Sequence, residues 1–362
     1  MNLYIVGPDP NAFTGGGLSS YQSQIIGEFN RAHPDLNVVH VSTYLDANPF
    51  YRLVCYVKSV LFFIFLKSPR DSVLHINFSI RGSLLRKIPL IFIAKLKGLK
   101  VIAHSHGADI DERYRLAGPF ARKMFVKALN MADFLICISK YWVDFYSEIG
   151  VDGHKLRMLL NPIDTNFPTD EEIFKNQSEN NREISIVFVG GLSERKGVGC
   201  LLRAIQQVAS SNTEIKFRLH LVGGADPVVF NGYKDLALSL GIEDLVVFHG
   251  WVSRDKISRN YENAQIFVLA SVSEGLPIAM LEAMSFGLAV IVTPVGGIAD
   301  LIVDGESGRF VPVNDSNRLG NAIIELMSNP ALRSKLGVRA KKSVEDLHVT
   351  PHCRELLSIY IS

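Results

Sequence analysis

Twice along this chain, short apolar runs of strand length alternate with longer segments of helical spacing, and that alternation restricts the fold more than any other feature. The first series puts strands at residues 3–6, 38–42, 73–76, 100–103 and 134–138. The second puts them at 184–189, 217–222, 246–248, 266–269, 289–292 and 308–311. Runs that are apolar throughout belong to strands covered on both faces, as in a parallel sheet whose crossovers are helices. Each series therefore predicts an α/β unit with a doubly wound parallel sheet, which binds ligands beyond the carboxyl ends of its strands. Residues 167–182 are polar, acidic and without a core pattern, which predicts a surface linker. The expected division is 1–162, a linker 163–183, a second domain 184–345, and a C-terminal helix 346–362 that crosses back to the first. A length of 362 residues, 48% of them hydrophobic, suffices for two such cores.

Residues 273–282 read S-E-G-L-P-I-A-M-L-E and follow the apolar run 266–269. Helical spacing from 278 stops at Gly287, so the segment reads as strand, glycine turn and helix. Pro277 is expected at the first helical position, where its fixed φ fits and its missing N–H is not needed. The amides of Gly275 and Leu276 are then expected to point out of a helix N-terminus, an end that attracts phosphate. Glu274 and Glu282 accept hydrogen bonds only and suit polyol hydroxyls. Phosphate beside polyol suggests a sugar nucleotide. Another turn, G-G-L-S-E-R-K-G at 190–197, brings Arg195 and Lys196 beside glycines, a pairing that suits a diphosphate.

The frame E-G-L-P-x-x-x-L-E resembles the donor-binding signature of glycosyltransferase family 4, retaining enzymes of the GT-B fold, in which two Rossmann-like domains face each other across a cleft. Further likenesses follow in order: the glycine loop at 15–17, His106-Gly107-Ala108-Asp109, Asn161-Pro162-Ile163-Asp164, and Arg195-Lys196-Gly197. The resemblance implies that Glu274 meets the transferred sugar and Glu282 the nucleotide ribose. It also implies that Gly16 and Gly17 face the donor diphosphate, that Gly275, Leu276 and Pro277 line it, and that backbone groups near Val252 read the base. His106 would touch the sugar or its leaving oxygen, and Asp109 would lie toward the acceptor. The implied catalytic set is His106, Lys196 and Glu274. Gly191 stands where the family places an arginine, and Arg195 is expected to supply that charge from nearby.

What the resemblance implies in chemistry is transfer of a hexose from a nucleotide sugar, with UDP the expected nucleotide, to a hydroxyl of a glycan or lipid-linked acceptor in cell-surface polysaccharide or lipopolysaccharide synthesis. The resemblance further implies that the leaving diphosphate itself takes the acceptor proton, with no metal and no cofactor. Two alternatives stay open: a non-catalytic nucleotide-sugar-binding protein, and another GT-B enzyme such as a sugar-nucleotide epimerase.

A dinucleotide site is disfavoured because Gly15 and Gly17 are followed by Ser20 where the third glycine is sought. His104-Ser105-His106 lacks a second cluster at ligand spacing, which argues against a metal. The net charge is +2, yet residues 51–100 hold ten Lys or Arg against one acid, Asp71. The apolar run 53–66 is too short to cross a bilayer. Together with residues 84–97 it predicts peripheral attachment to an anionic membrane. The interleaved residues are aliphatic, which disfavours nucleic acid. Cys55, Cys137, Cys200 and Cys353 are far apart, fitting a reducing compartment, and no signal-peptide core opens the chain. The expected location is cytoplasmic, on the inner face of the plasma membrane.

Overall fold

The computed structural model describes every residue except 10–15, 45–48, 68–70, 80, 164–167, 170, 174–182 and 212–213. Gly15, Asp164 and most of the expected linker thus lie outside the described residues. The chain forms two compact units, one of Met1–Asp164 with Leu347–Ser362 and one of Thr165–Asp346.

In the first unit the elements run β1 (Asn2–Pro8), α1 (Gly17–Ala32), β2 (Asn37–Tyr44), α2 (Pro49–Phe65), β3 (Ser72–Phe78) and α3 (Arg81–Leu96). There follow β4 (Lys100–Ser105), α4 (Ile110–Leu116), α5 (Pro119–Met131), β5 (Phe134–Cys137), α6 (Lys140–Glu148) and β6 (Leu156–Met158). Among the described residues they make one parallel sheet of six strands in the order β2-β1-β3-β4-β5-β6. Ile5 of β1 pairs with His40 on one side and His75 on the other, so the chain reverses its direction of winding at β1. All seven residues of β3 are buried, the polar Ser72, His75 and Asn77 included, as in a strand covered on both faces. The three-residue strand β6 was not expected; it sits at the sheet edge with Met158 half exposed, too short and too wet to leave an apolar run.

The second unit runs β7 (Ile184–Val189), α7 (Val198–Ser210), β8 (Phe217–Val222), α8 (Pro227–Ser239), β9 (Val246–Gly250), α9 (Arg254–Glu262) and β10 (Ile266–Leu269). It continues with α10 (Ile278–Ser285), β11 (Ala289–Val292), α11 (Ile298–Leu301), β12 (Arg309–Phe310), α12 (Ser316–Ser328) and α13 (Pro330–Lys342). Its parallel sheet has the order β12-β11-β10-β7-β8-β9. The first strand, β7, is flanked by β8 and by β10, so the winding reverses between β7 and β10. The last helix, α14 (Val349–Ile361), packs on α1 in the first unit.

Helix α10 corrects one expectation. Pro277 is not its first helical residue but its N-cap, with φ −73° and ψ 117°. The extended ψ keeps Pro277 outside the helix, while its carbonyl accepts from Met280 N at 3.0 Å and Leu281 N at 3.2 Å. The far end stops as the sequence indicates: Gly287 takes φ +69° and donates to Met284 O.

Candidate active site

In an open parallel sheet, the loops beyond two strands on either side of a winding reversal diverge and leave a crevice. In the second unit those strands are β7 and β10. The loop after β7 carries Arg195 and Lys196, and the loop after β10 carries Glu274. Ser193 caps the short turn Glu194–Lys196, and Gly197 follows with φ +72°, where a Cβ would stand 2.0 Å from Ala270 O. Only glycine lets the R-K-G turn lie this close to the end of β10.

Lys196 Nζ donates to Glu274 Oε1 at 2.6 Å, and Arg195 Nη1 lies 3.6 Å from Glu274 Oε2. Ser271 Oγ also donates to Glu274 Oε1, at 2.7 Å. Glu274 is buried at 4% exposure, so its charge is compensated inside the site rather than by water. Its loop is pinned on two further sides: Arg195 Nη1 donates to Ser273 O at 2.7 Å, and Gly297 N to Gly275 O at 2.7 Å. Gly275, Leu276 and Pro277 are buried in this turn. One turn into α10, the carboxylate of Glu282 accepts from the Tyr261 hydroxyl at 3.2 Å.

The sheet thus brings together Arg195, Lys196 and Glu274, and the helix that follows carries Glu282. Val252 follows β9 and is half-buried, at the carboxyl end of the same sheet. Ser271 and Tyr261 were not foreseen. Ser271 is three residues before Glu274, a local signal that could have been read, whereas Tyr261 reaches Glu282 only through the packing of α9 on α10.

The other expected residues belong to the first unit. Gly16 is the N-cap of α1, with Gly17 its first residue, and both are exposed. Asp109 caps α4 in position and pairs with Arg113 one turn on, at 2.5 Å. His106 follows β4, half-buried, with Nε2 2.9 Å from Asn77 Oδ1.

Behind His106 lies a network that local sequence did not reveal. His104 Nδ1 is 3.2 Å from both the Tyr21 hydroxyl and His75 Nε2. Tyr21 also reaches His352 Nε2 at 3.1 Å, and His75 Nδ1 reaches the Tyr360 hydroxyl at 2.5 Å. Burial, aided by the neighbouring His352, lowers His75 from 6.5 to about 3, and burial lowers His352 to about 3. Burial and the surrounding histidines hold His104 and His106 well below the ordinary value. The folded state therefore keeps these rings neutral. Their stabilisation is fully present above about pH 6.5 and lost as pH falls toward 3. Stability of the full chain against thermal unfolding should therefore fall as the pH drops below about 6.5. A flat profile between neutrality and pH 5, with the Tyr21→Phe and His75→Asn variants overlaying it, would refute this.

Comparison with known proteins fits this geometry. Residues 28–167 match the family model described as Glycosyltransferase Family 4, and residues 169–343 that described as Glycosyl transferases group 1. The chain belongs to glycosyltransferase family 4. It is 26% identical over 288 residues to the amylovoran biosynthesis glycosyltransferase AmsK of Erwinia amylovora, covering 75% of this chain and 65% of that protein. It is 24% identical over 281 residues to the putative colanic acid biosynthesis glycosyltransferase WcaL of Salmonella typhimurium, covering 74% and 66%. This family 4 chain therefore spans a little under two thirds of the length of these curated relatives. Among solved structures, the sucrose-phosphate synthase of Thermosynechococcus elongatus superposes with a TM-score of 0.80 at 21% identity, over 99% of this chain and 98% of that one. Anabaena HepE in complex with UDP and glucose gives 0.75 at 16% identity, over 99% of both chains. The likeness at these identities is one of fold, and that fold is GT-B.

Proposed function

We propose that this family 4 chain transfers a hexose from a UDP-sugar to a hydroxyl of a glycan or lipid-linked acceptor in polysaccharide synthesis, with retention of configuration and without a metal. The observation that carries the reading is the cluster of Lys196, Arg195 and Glu274 at the winding reversal of the second sheet, with Glu282 on the helix that follows. The cations suit the diphosphate, whose charge grows as the glycosidic bond breaks, and fixed charges aimed at it lower the barrier without reorganising. Glu274 offers a carboxylate to sugar hydroxyls and Glu282 one to the ribose diol. Pairing Glu274 with Lys196 before the donor arrives holds both side chains in place. The names of AmsK and WcaL support a biosynthetic role, and the complexes of HepE support UDP as the nucleotide.

A thermal-shift panel of UDP, GDP and ADP with their sugar conjugates tests the donor site. UDP at 100 times its dissociation constant should stabilise the chain by about 2.7 kcal/mol. Glu282→Ala should weaken UDP by about tenfold, the loss of a hydrogen bond to a charged group. The absence of a shift with every nucleotide would remove the transferase reading. Product analysis with UDP-sugar alone separates it from an epimerase.

The reading includes contact with an anionic membrane through α2 and α3. Helix α2 exposes Phe50, Leu53, Leu61, Ile64 and Phe65, and α3 exposes Phe92 and Leu96. Arg52, Lys58, Lys67, Arg86 and Lys97 lie exposed on the same segments. Two of the basic residues counted in the sequence do not serve this contact. Lys87 is buried, donating to Ser83 Oγ at 2.9 Å and to Asn77 O, with burial pushing its pKa down to about 7. Lys95 is paired with Asp133 at 2.7 Å. Among the described residues no helix is long and apolar enough to cross a membrane. Co-sedimentation with anionic vesicles should exceed that with neutral ones and fall in a Phe50→Glu, Phe65→Glu double variant. Equal recovery from both vesicle types would remove this part of the reading.

A further inference from the structure

Helix α2 carries two stripes, and only one of them faces outward. Tyr51, Val54, Cys55, Lys58, Ser59 and Phe62 recur at helical spacing and so share one side of the helix. Together with residues 39–42 of β2, the edge strand of the first sheet, they line a cleft of about 390 Å³. Protein interiors ordinarily close such spaces, and the volume is that of a ligand pocket. Side chains fix its walls: Phe62 packs edge-on against Tyr4 of β1 with ring centroids 6.0 Å apart, and Cys55 Sγ donates to Ser42 O at 3.3 Å.

Two polar groups of the lining await a partner. Burial lowers the pKa of His40, and its ring hydrogen-bonds to the backbone of Pro8, which has only a carbonyl to offer. One ring nitrogen therefore donates, and Nε2, buried with no partner among the described residues, is left as an acceptor. A buried acceptor is costly until a donor meets it. Lys58 is exposed at the same cleft, and no acidic side chain lines it among the described residues. Tyr51 and Phe62 line the cleft and are themselves exposed, so it is continuous with the outer stripe of Leu53, Val57 and Leu61. We propose that the cleft between β2 and α2 seats the hydrocarbon chain of a lipid phosphate monoester, an inference that rests on the membrane-facing reading of α2. The apolar wall takes the chain, Lys58 takes the charge of the phosphate, and His40 Nε2 accepts its O–H. A neutral lipid lacks the charge and an alkyl sulfate lacks the O–H, so the three contacts together select a phosphate monoester.

Cys55 reports on the cleft directly, because it is half-buried while Cys137, Cys200 and Cys353 are buried. The full chain is titrated with decyl phosphate below its micellar concentration, followed by calorimetry and by the rate at which a thiol reagent modifies Cys55. Decyl phosphate should bind and slow the modification. Decyl sulfate and decanol should each do so more weakly, and inorganic phosphate should not. Lys58→Glu, a change at an exposed position, should weaken decyl phosphate by about tenfold and leave decanol binding unchanged. Decyl phosphate that fails to bind, or that binds without protecting Cys55, would overturn the proposal. Anionic vesicles that bind the chain and leave Cys55 as reactive as before would overturn it too, with the membrane contact still standing. Protection by decyl phosphate in a chain that binds no vesicles would remove the membrane contact and uphold the cleft.

Discussion

Glu274→Gln is expected to lower kcat for transfer by about a hundredfold or more while the chain stays folded, the size of effect seen when a preorganised transition-state contact is lost. The amide is nearly isosteric and its oxygen can still accept from Lys196 Nζ or Ser271 Oγ, which the carboxylate holds at 2.6 and 2.7 Å. What disappears is the negative charge that fixes Lys196, with Arg195 3.6 Å from the second oxygen. Glu274→Ala removes the partner altogether. It should also destabilise the fold by about 3 kcal/mol, since the Lys196 side chain is only 16% exposed and would be left unpaired. Steady-state kinetics with donor varied, together with urea unfolding of both variants, measures the two effects separately. A kcat for Glu274→Gln close to that of the wild type would exclude Glu274 from the reacting centre.

The second large effect comes from a residue that bears no functional group. Gly296 has φ +55°, and a Cβ there would lie 1.9 Å from Glu274 O and 3.2 Å from Gly275 O. Gly296→Ala therefore carries both the left-handed backbone penalty, about 1–2 kcal/mol, and a collision with the turn that carries Glu274. Neither carbonyl can yield cheaply, because Gly297 N holds Gly275 O at 2.7 Å. Gly241 is the internal control: its φ is +65° and nothing lies within 4 Å of its would-be Cβ. Gly241→Ala should cost about 1 kcal/mol and leave kinetics unchanged, whereas Gly296→Ala should cost about 3 kcal/mol or more and lower kcat with it. Equal unfolding midpoints for the two would show that the turn relaxes freely.

Much of this could be read from residues because parallel strands covered on both faces are written as unbroken apolar runs. Ile266–Leu269 and Ala289–Val292 are buried throughout and were readable at once. The three-residue β6 marks the limit of that signal, whereas β12, at two residues, still falls within the strand expected at 308–311. The pairing of Lys196 with Glu274 spans 78 residues and no local pattern encodes it; the order of strands does, by placing β7 beside β10. Lys87 is the reverse case. Its type and its basic neighbours indicated surface, yet α3 turns it inward to Asn77 O and Ser83 Oγ. The histidine network was hidden for the same reason: His75 and His104 sit inside apolar strands and meet Tyr21, His352 and Tyr360 only when three distant segments pack.

The chain leaves the first unit after Ile163 and re-enters it at Leu347, and those two points touch: Ile163 N donates to Leu347 O at 2.7 Å and Ile163 bridges to His348. In covalent terms the second unit is an insertion within the first. The helix that follows, α14, buries His352, Cys353, Leu356, Ile359 and Tyr360 in the first unit. During synthesis from the N-terminus the first unit must therefore wait, with the cavity for that helix still open, while the second unit already has every residue it needs. The usual order, in which the N-terminal domain folds first, is reversed: the inserted unit can close first, and the segment from Leu347 onward completes the unit that was begun first.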